Sequence, residues 1–162
     1  MSIEVLVLAE CYANKCFAEE VRDKLREVYP KYRFKIIHKS TYGRDRILSK
    51  AKRIQQTQQN SLILLFIDYE RGPLRKYVET LFPHLESIAS ISNVYIGKSS
   101  LVRNLVAVIF DPDIEGALGI RAGRTRRILK TVHACRELQS LLASKSEAIE
   151  EVASKVASLM GE

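Results

Sequence analysis

Ile3-Glu4-Val5-Leu6-Val7-Leu8-Ala9, followed at once by Glu10, decides how the chain folds. Six of these seven residues are apolar and three are β-branched, with no alternation of polar and apolar positions. A strand buried on both faces reads this way, and strands of that kind belong to parallel sheets covered by helices. Working outward, Lys15–Tyr29 places Phe17, Val21, Leu25 and Val28 at helical spacing and stops at Pro30. Arg33–His38 reads as a second strand. After Gly43, the spacing of Ile47, Leu48, Ala51 and Ile54 predicts a helix over Arg44–Gln58. Leu62–Ile67 (LILLFI) is a third buried strand, and Pro73 suits the first turn of a helix that runs through Leu81.

Asn93–Ile96 is a candidate short strand, with Gly97 read as a turn, and Leu105–Phe110 (LVAVIF) is another buried strand. Arg124–Leu142 is expected to be one helix, on the stripe Ile128, Val132, Cys135, Leu138 and Leu142. Ser146–Met160 is a last amphipathic helix that either covers the sheet or mediates a homodimer. Strands alternating with helices predict an α/β fold: a mainly parallel, Rossmann-like sheet with helices on both faces, plus a C-terminal helical extension. The expected organisation is an α/β domain over residues 1–122, with helices of 123–162 packed on that same domain.

A chain of 162 residues is most simply one domain. Hydrophobic residues at 46% and charged residues at 28% are ordinary for a soluble globular protein and exclude wholesale disorder. No apolar run is long enough for a membrane span. The N-terminus lacks a basic flank and meets Glu10 too early for a signal peptide. Three cysteines, an odd number, argue against a disulfide framework. The expectation is an intracellular, reduced, cytoplasmic protein without a membrane partner, in which Cys16 and Cys135 are core residues.

Net charge is +7, unevenly spread. Lys31–Arg53 holds nine bases and one acid, and Arg121–Arg136 holds six bases and no acid. Such stretches either solvate a helix face or neutralise phosphates. Two of them flanking an acidic middle third favour nucleic acid. Lys39, Arg44, Arg46, Lys98, Arg124, Arg126 and Arg127 are phosphate-binding candidates on charge alone. A protein partner is a further possibility of this class.

The acids fall at strand ends. Glu10 follows the first strand, Asp68 and Glu70 follow the third, and Asp111, Asp113 and Glu115 follow LVAVIF. In parallel sheets ligands bind beyond the carboxyl ends of the strands. Acids two apart leaving a strand share a face. Gathered carboxylates repel unless a cation lies among them, and Mg²⁺ takes a few carboxylates with waters and phosphate oxygens. Each acid taken singly is equally a loop opener or a helix cap.

This pattern resembles the TOPRIM fold, shared by topoisomerases, bacterial-type primases, OLD-family nucleases and ribonuclease M5-type maturases. The resemblance spans roughly residues 3–120. It implies that Glu10, in VLVLAE, is a metal ligand or general base. It implies that a later acidic pair completes a Mg²⁺ (or Mn²⁺) site for phosphodiester cleavage or nucleotidyl transfer. Two segments compete for that pair. Asp68 and Glu70, in LLFIDYERG, sit in the third strand as the fold expects. Asp111 and Asp113, in VAVIFDPDIEG, are closer in letters and lie farther along the chain. The register with Asp68 and Glu70 is preferred, with Asp111–Glu115 as a neighbouring acidic wall. Where the family has Gly after the first Glu and an acid a few residues on, this chain has Cys11 and Asn14.

Ile96-Gly97-Lys98-Ser99 lacks the upstream glycine of a P-loop, since Ser92 stands there. His38, His84 and His133 form no zinc-finger spacing with the cysteines and no triad. Two classes therefore stand open: a small metal-dependent nuclease, and a non-enzymatic basic nucleic-acid-binding or complex-forming protein with a degenerate metal site. A nucleotide-binding regulator is less supported, because no glycine-rich fingerprint follows the first strand.

Overall fold

A computed structural model describes residues 3–37, 44–58, 60–121 and 123–161. The order is β1 (Ile3–Ala9), α1 (Tyr12–Val28), β2 (Tyr32–Ile37), α2 (Arg44–Thr57), β3 (Leu62–Asp68), α3 (Pro73–Leu81), β4 (Glu86–Ser87), β5 (Val94–Lys98) and β6 (Leu105–Phe110). Four helices follow: α4 (Ile114–Ala117), α5 (Arg124–Ile128), α6 (Ala134–Ser144) and α7 (Ser146–Met160). One sheet holds six strands in the order β2-β1-β3-β6-β5-β4. The first four are mutually parallel, while β5 runs antiparallel to β6 and β4 antiparallel to β5. The fold is α/β with a mixed, mostly parallel sheet.

The unbroken apolar strands divide their side chains between two cores, as period-2 geometry requires. Leu64 and Phe66 of β3 join Val106, Val108 and Phe110 of β6 beneath α1, α6 and α7. Ile63, Leu65 and Ile67 join Leu105, Ala107 and Ile109 beneath α2 and α3. Phe17 anchors α1 on the first face, edge-on to Phe110 at 5.0 Å and tilted on Phe66 at 6.3 Å. Burying one such side chain contributes about 1.5–3 kcal/mol. Helices therefore cover both faces, and the C-terminal helices share the core of the sheet. Among the described residues no helix is long and apolar enough to cross a membrane.

Three expectations are corrected. The helix expected over Arg124–Leu142 is broken between Ile128 and Ala134. Thr131 Oγ1 donates to the Ile128 carbonyl over 2.6 Å and accepts from His133 N–H, so a side chain competes for helical hydrogen bonds. Val132, placed on the apolar stripe by spacing, is 70% exposed. Gly97 lies inside β5 and is not a turn. A Cβ there would come within 2.7 Å of a Leu85 methyl and 3.2 Å of the His84 carbonyl oxygen, so any larger residue would require the Leu85 side chain to turn aside and the backbone beside it to shift. Finally, Cys16 and Cys135 are joined in a disulfide between α1 and α6, contrary to the expected reduced state. An odd cysteine count leaves room for one bridge, and the packing of these helices sets the two Cα atoms 5.2 Å apart. Cys11 is the free thiol.

Candidate metal centre

The parallel register brings the carboxyl ends of β1, β3 and β6 to one edge of the sheet. Ala9 pairs with Phe66, and Asp68 pairs with Phe110. Backbone bonds carry the ladder past the strands: Glu10 N–H donates to the Phe66 carbonyl (3.1 Å), Tyr69 N–H to Phe110 (2.7 Å) and Glu70 N–H to Pro112 (2.6 Å). The residues immediately after the three strands are therefore fixed by main-chain pairing. Glu70 has φ of 54°, a left-handed conformation that costs a side-chain-bearing residue about 1–2 kcal/mol. Arg75 holds it there by donating from Nη1 to the Glu70 carbonyl over 3.0 Å.

Glu10, Asp68 and Glu70 each present a carboxylate oxygen within 4.8 Å of the other two. The structure thus brings together the first acid and the nearer of the two competing pairs. Three carboxylates at this separation are hard oxygen donors of the kind Mg²⁺ and Mn²⁺ take, and the group can hold a metal ion. Asp68 N–H donates to Glu10 Oε2 over 2.8 Å. Asp68 Oδ1 accepts from Asn14 Nδ2 at 3.1 Å and from Ile114 N–H at 2.9 Å. Asn14, in the first turn of α1, is fully buried, and its own oxygen accepts from the Cys11 thiol.

Burial is the main reason that the Asp68 carboxyl is pushed up to about 8, and the charges of Glu10 and Glu115 raise it further. The Asn14 and Ile114 donors pull the other way without prevailing. The Cys11 thiol is raised well above its ordinary range, chiefly by burial and then by the Asp68 charge. A cation among these acids would relieve the repulsion that raises Asp68, so the donor set fits a divalent metal.

The acids after β6 take different places. Asp111 is held by Arg75 in a two-pronged ion pair of 2.9 and 3.2 Å, and the Arg75 guanidinium lies 3.8 Å from the centre of the Tyr69 ring. Asp113 caps α4 by accepting from Gly116 N–H at 2.6 Å, and its other oxygen takes Arg126 Nη2 at 2.7 Å. Asp113 and Glu115 line the same cleft as the three central acids, a space of about 390 Å³. Arg126, Leu129 and Lys130 also line it.

The basic candidates are scattered. Arg126 enters the cleft, and Arg124 and Arg127 are exposed on the same short helix α5. Arg46 is exposed in the first turn of α2, which Arg44 opens. Lys98 pairs with Val106 near the start of β6, away from the edge that carries the acids. Lys39 lies outside the described residues.

Arg75 and Lys130 were not singled out by sequence reasoning, and Asn14 was noted only as standing where the TOPRIM pattern has an acid. Lys130 belongs to the basic run Arg121–Arg136, whose charge was its only signal. Asn14 and Arg75 act through contacts 54 and 36 residues distant, which no local pattern encodes. No family model matches the chain, and no curated protein or solved structure matches it either.

Proposed function

We propose that the protein carries out Mg²⁺-dependent phosphodiester chemistry on nucleic acid, as a small TOPRIM-like nuclease. The observation that carries this reading is the convergence of Glu10, Asp68 and Glu70 within 4.8 Å at the carboxyl edge of the sheet. A bound divalent cation would supply charge stabilisation for the attacking and leaving oxygens of a phosphodiester. Glu10, Asp68 and Glu70 would hold it. Asn14 and Ile114 N–H fix Asp68 Oδ1, so the carboxylate is oriented before any ligand arrives. Glu10, half-buried at the end of β1, is the residue placed to accept a proton from an attacking water. The net charge of +7 supports a polyanionic substrate.

The test is a cleavage assay on single- and double-stranded DNA and RNA with Mg²⁺ or Mn²⁺. Metal-dependent cleavage that is lost in Glu10→Gln and Asp68→Asn supports the reading. Absence of cleavage by the wild type, or cleavage that survives both substitutions, overturns it.

One observation favours a second reading, a non-enzymatic nucleic-acid-binding or complex-forming protein. Glu10 and Asp68 already have protein donors, so both acids also serve as structural struts. In that case nucleic acid binds with a steep salt dependence, and Glu10→Gln leaves the affinity unchanged.

A further inference from the structure

The cleft has two chemically different walls, and the wall away from the acids comes from the chain beyond the region of TOPRIM resemblance. Arg126 is positioned in advance. Asp113 accepts Gly116 N–H with one oxygen and grips Arg126 Nη2 with the other. The remaining guanidinium donors have no hydrogen-bond partner among the described residues. Lys130, four residues on, lines the same cleft with its ammonium in no hydrogen bond or ion pair there. Between them Leu129 is 1% exposed and packs into the main core, which anchors the wall. Glu115, which also lines the cleft, is 8% exposed, and no hydrogen bond or ion pair reaches its carboxylate among the described residues. A buried carboxylate lining a cleft without a partner is costly, and a cation bound in the cleft would relieve that cost.

We infer that Arg126 and Lys130 form a phosphate-binding subsite that works only when a divalent cation occupies the Glu10–Asp68–Glu70 floor. The inference rests on the metal-centre reading and adds the ligand class and the order of binding. With Asp113 and Arg126 cancelling, the other acids of the cleft, Glu115 included, outnumber Lys130. An anion is repelled from the metal-free cleft. A cation on the floor removes most of that repulsion. A phosphate group then has the cation on one side and a fork of N–H donors with an ammonium on the other. The space of about 390 Å³ is at the small end for ligand sites, so it suits a phosphate with its attached sugar rather than the width of a duplex.

The test uses inorganic phosphate, which the protein cannot cleave, and the full chain. Mn²⁺ occupancy is read by electron paramagnetic resonance, and phosphate proximity by Mn²⁺-induced ³¹P relaxation. The wild type should enhance phosphate relaxation with Mn²⁺ bound, and isothermal titration calorimetry of phosphate into the metal-free protein should show no binding. Lys130→Gln should weaken phosphate about tenfold, the scale of one charge-assisted contact, at unchanged Mn²⁺ occupancy. Arg126→Gln should do at least as much. Lys130 is exposed and has no ion pair among the described residues, so its variant keeps the fold even if Arg126→Gln disturbs α4. Mn²⁺ binding without phosphate enhancement overturns the inference alone. So does equal phosphate affinity in Lys130→Gln, or binding in metal-free protein. Failure of Mn²⁺ to bind the wild type overturns the metal-centre reading, and this subsite with it.

Discussion

Asp68 donates its backbone N–H to Glu10 Oε2 across 2.8 Å, so two acids 58 residues apart are joined by a hydrogen bond and not merely gathered by charge. The bond makes Glu10 both a strut between β1 and β3 and a candidate ligand. The two roles respond differently to substitution.

Glu10→Gln keeps an oxygen acceptor for the Asp68 amide and removes one negative charge. Its melting temperature without metal should match or exceed that of the wild type, while Mn²⁺ affinity falls at least tenfold. Glu10→Ala loses the acceptor as well and leaves a half-buried amide unmet, at a cost of about 1–3 kcal/mol. Thermal melts of the two variants beside Mn²⁺ titrations check the split.

Asp68 sets the pH dependence. Its carboxyl titrates near 8 in the folded protein and at 3.8 in its ordinary state. Below 3.8 both folded and unfolded chains hold the proton, and its contribution to stability is complete. As pH rises between these values the unfolded chain releases the proton and the folded chain keeps it, so stability falls until about 8. Melting temperature measured from pH 5 to 8 without metal should fall more steeply for the wild type than for Asp68→Asn. Saturating Mg²⁺ should flatten the difference.

Much of the fold is legible along the chain because it rests on local patterns. β1, β6, α3 and α7 fall where periodicity and Pro73 place them. The break before Ala134 was hidden because Val132 continues the apolar spacing while the Thr131 hydroxyl ends the helix. The disulfide was hidden because it depends on how α1 lies against α6, which is a property of packing. The acids themselves were readable as strand-end residues. Their division was read from the place of Asp68 and Glu70 in the third strand, against the more suggestive spelling of Asp111 and Asp113, and the structure groups Glu10 with Asp68 and Glu70. That Arg75 and Arg126 engage the other two is a matter of tertiary contact that the sequence does not show.

Arg75 links Asp111, the Glu70 carbonyl and the Tyr69 ring. The pair is partly exposed, so solvent screening limits its worth. Arg75→Gln should cost about 1 kcal/mol. Its larger effect should fall on Glu70, whose left-handed backbone loses a tether. Mn²⁺ affinity should drop several-fold with only a small change in melting temperature, as paired calorimetric and thermal measurements would show.

Thiol chemistry gives a direct count. Without reductant, the denatured chain should take up one alkylating group, at Cys11, and after reduction three. In the folded protein Cys11 should react far more slowly than an ordinary thiol, because burial and nearby acids disfavour its thiolate. Intact-mass spectrometry over time reads both results.

The Cys16–Cys135 bridge turns everything between those positions into a covalent ring, with β1 and α7 as its two tails. Glu10 sits on one tail near the knot, and Arg126 and Lys130 sit just inside the ring near the same knot. A single backbone cut anywhere between 17 and 134 therefore yields two pieces that still travel as one particle until the bridge is reduced. Even in such a nicked molecule, Glu10 and the stretch 126–130 stay leashed to each other by a few residues on either side of one S–S bond.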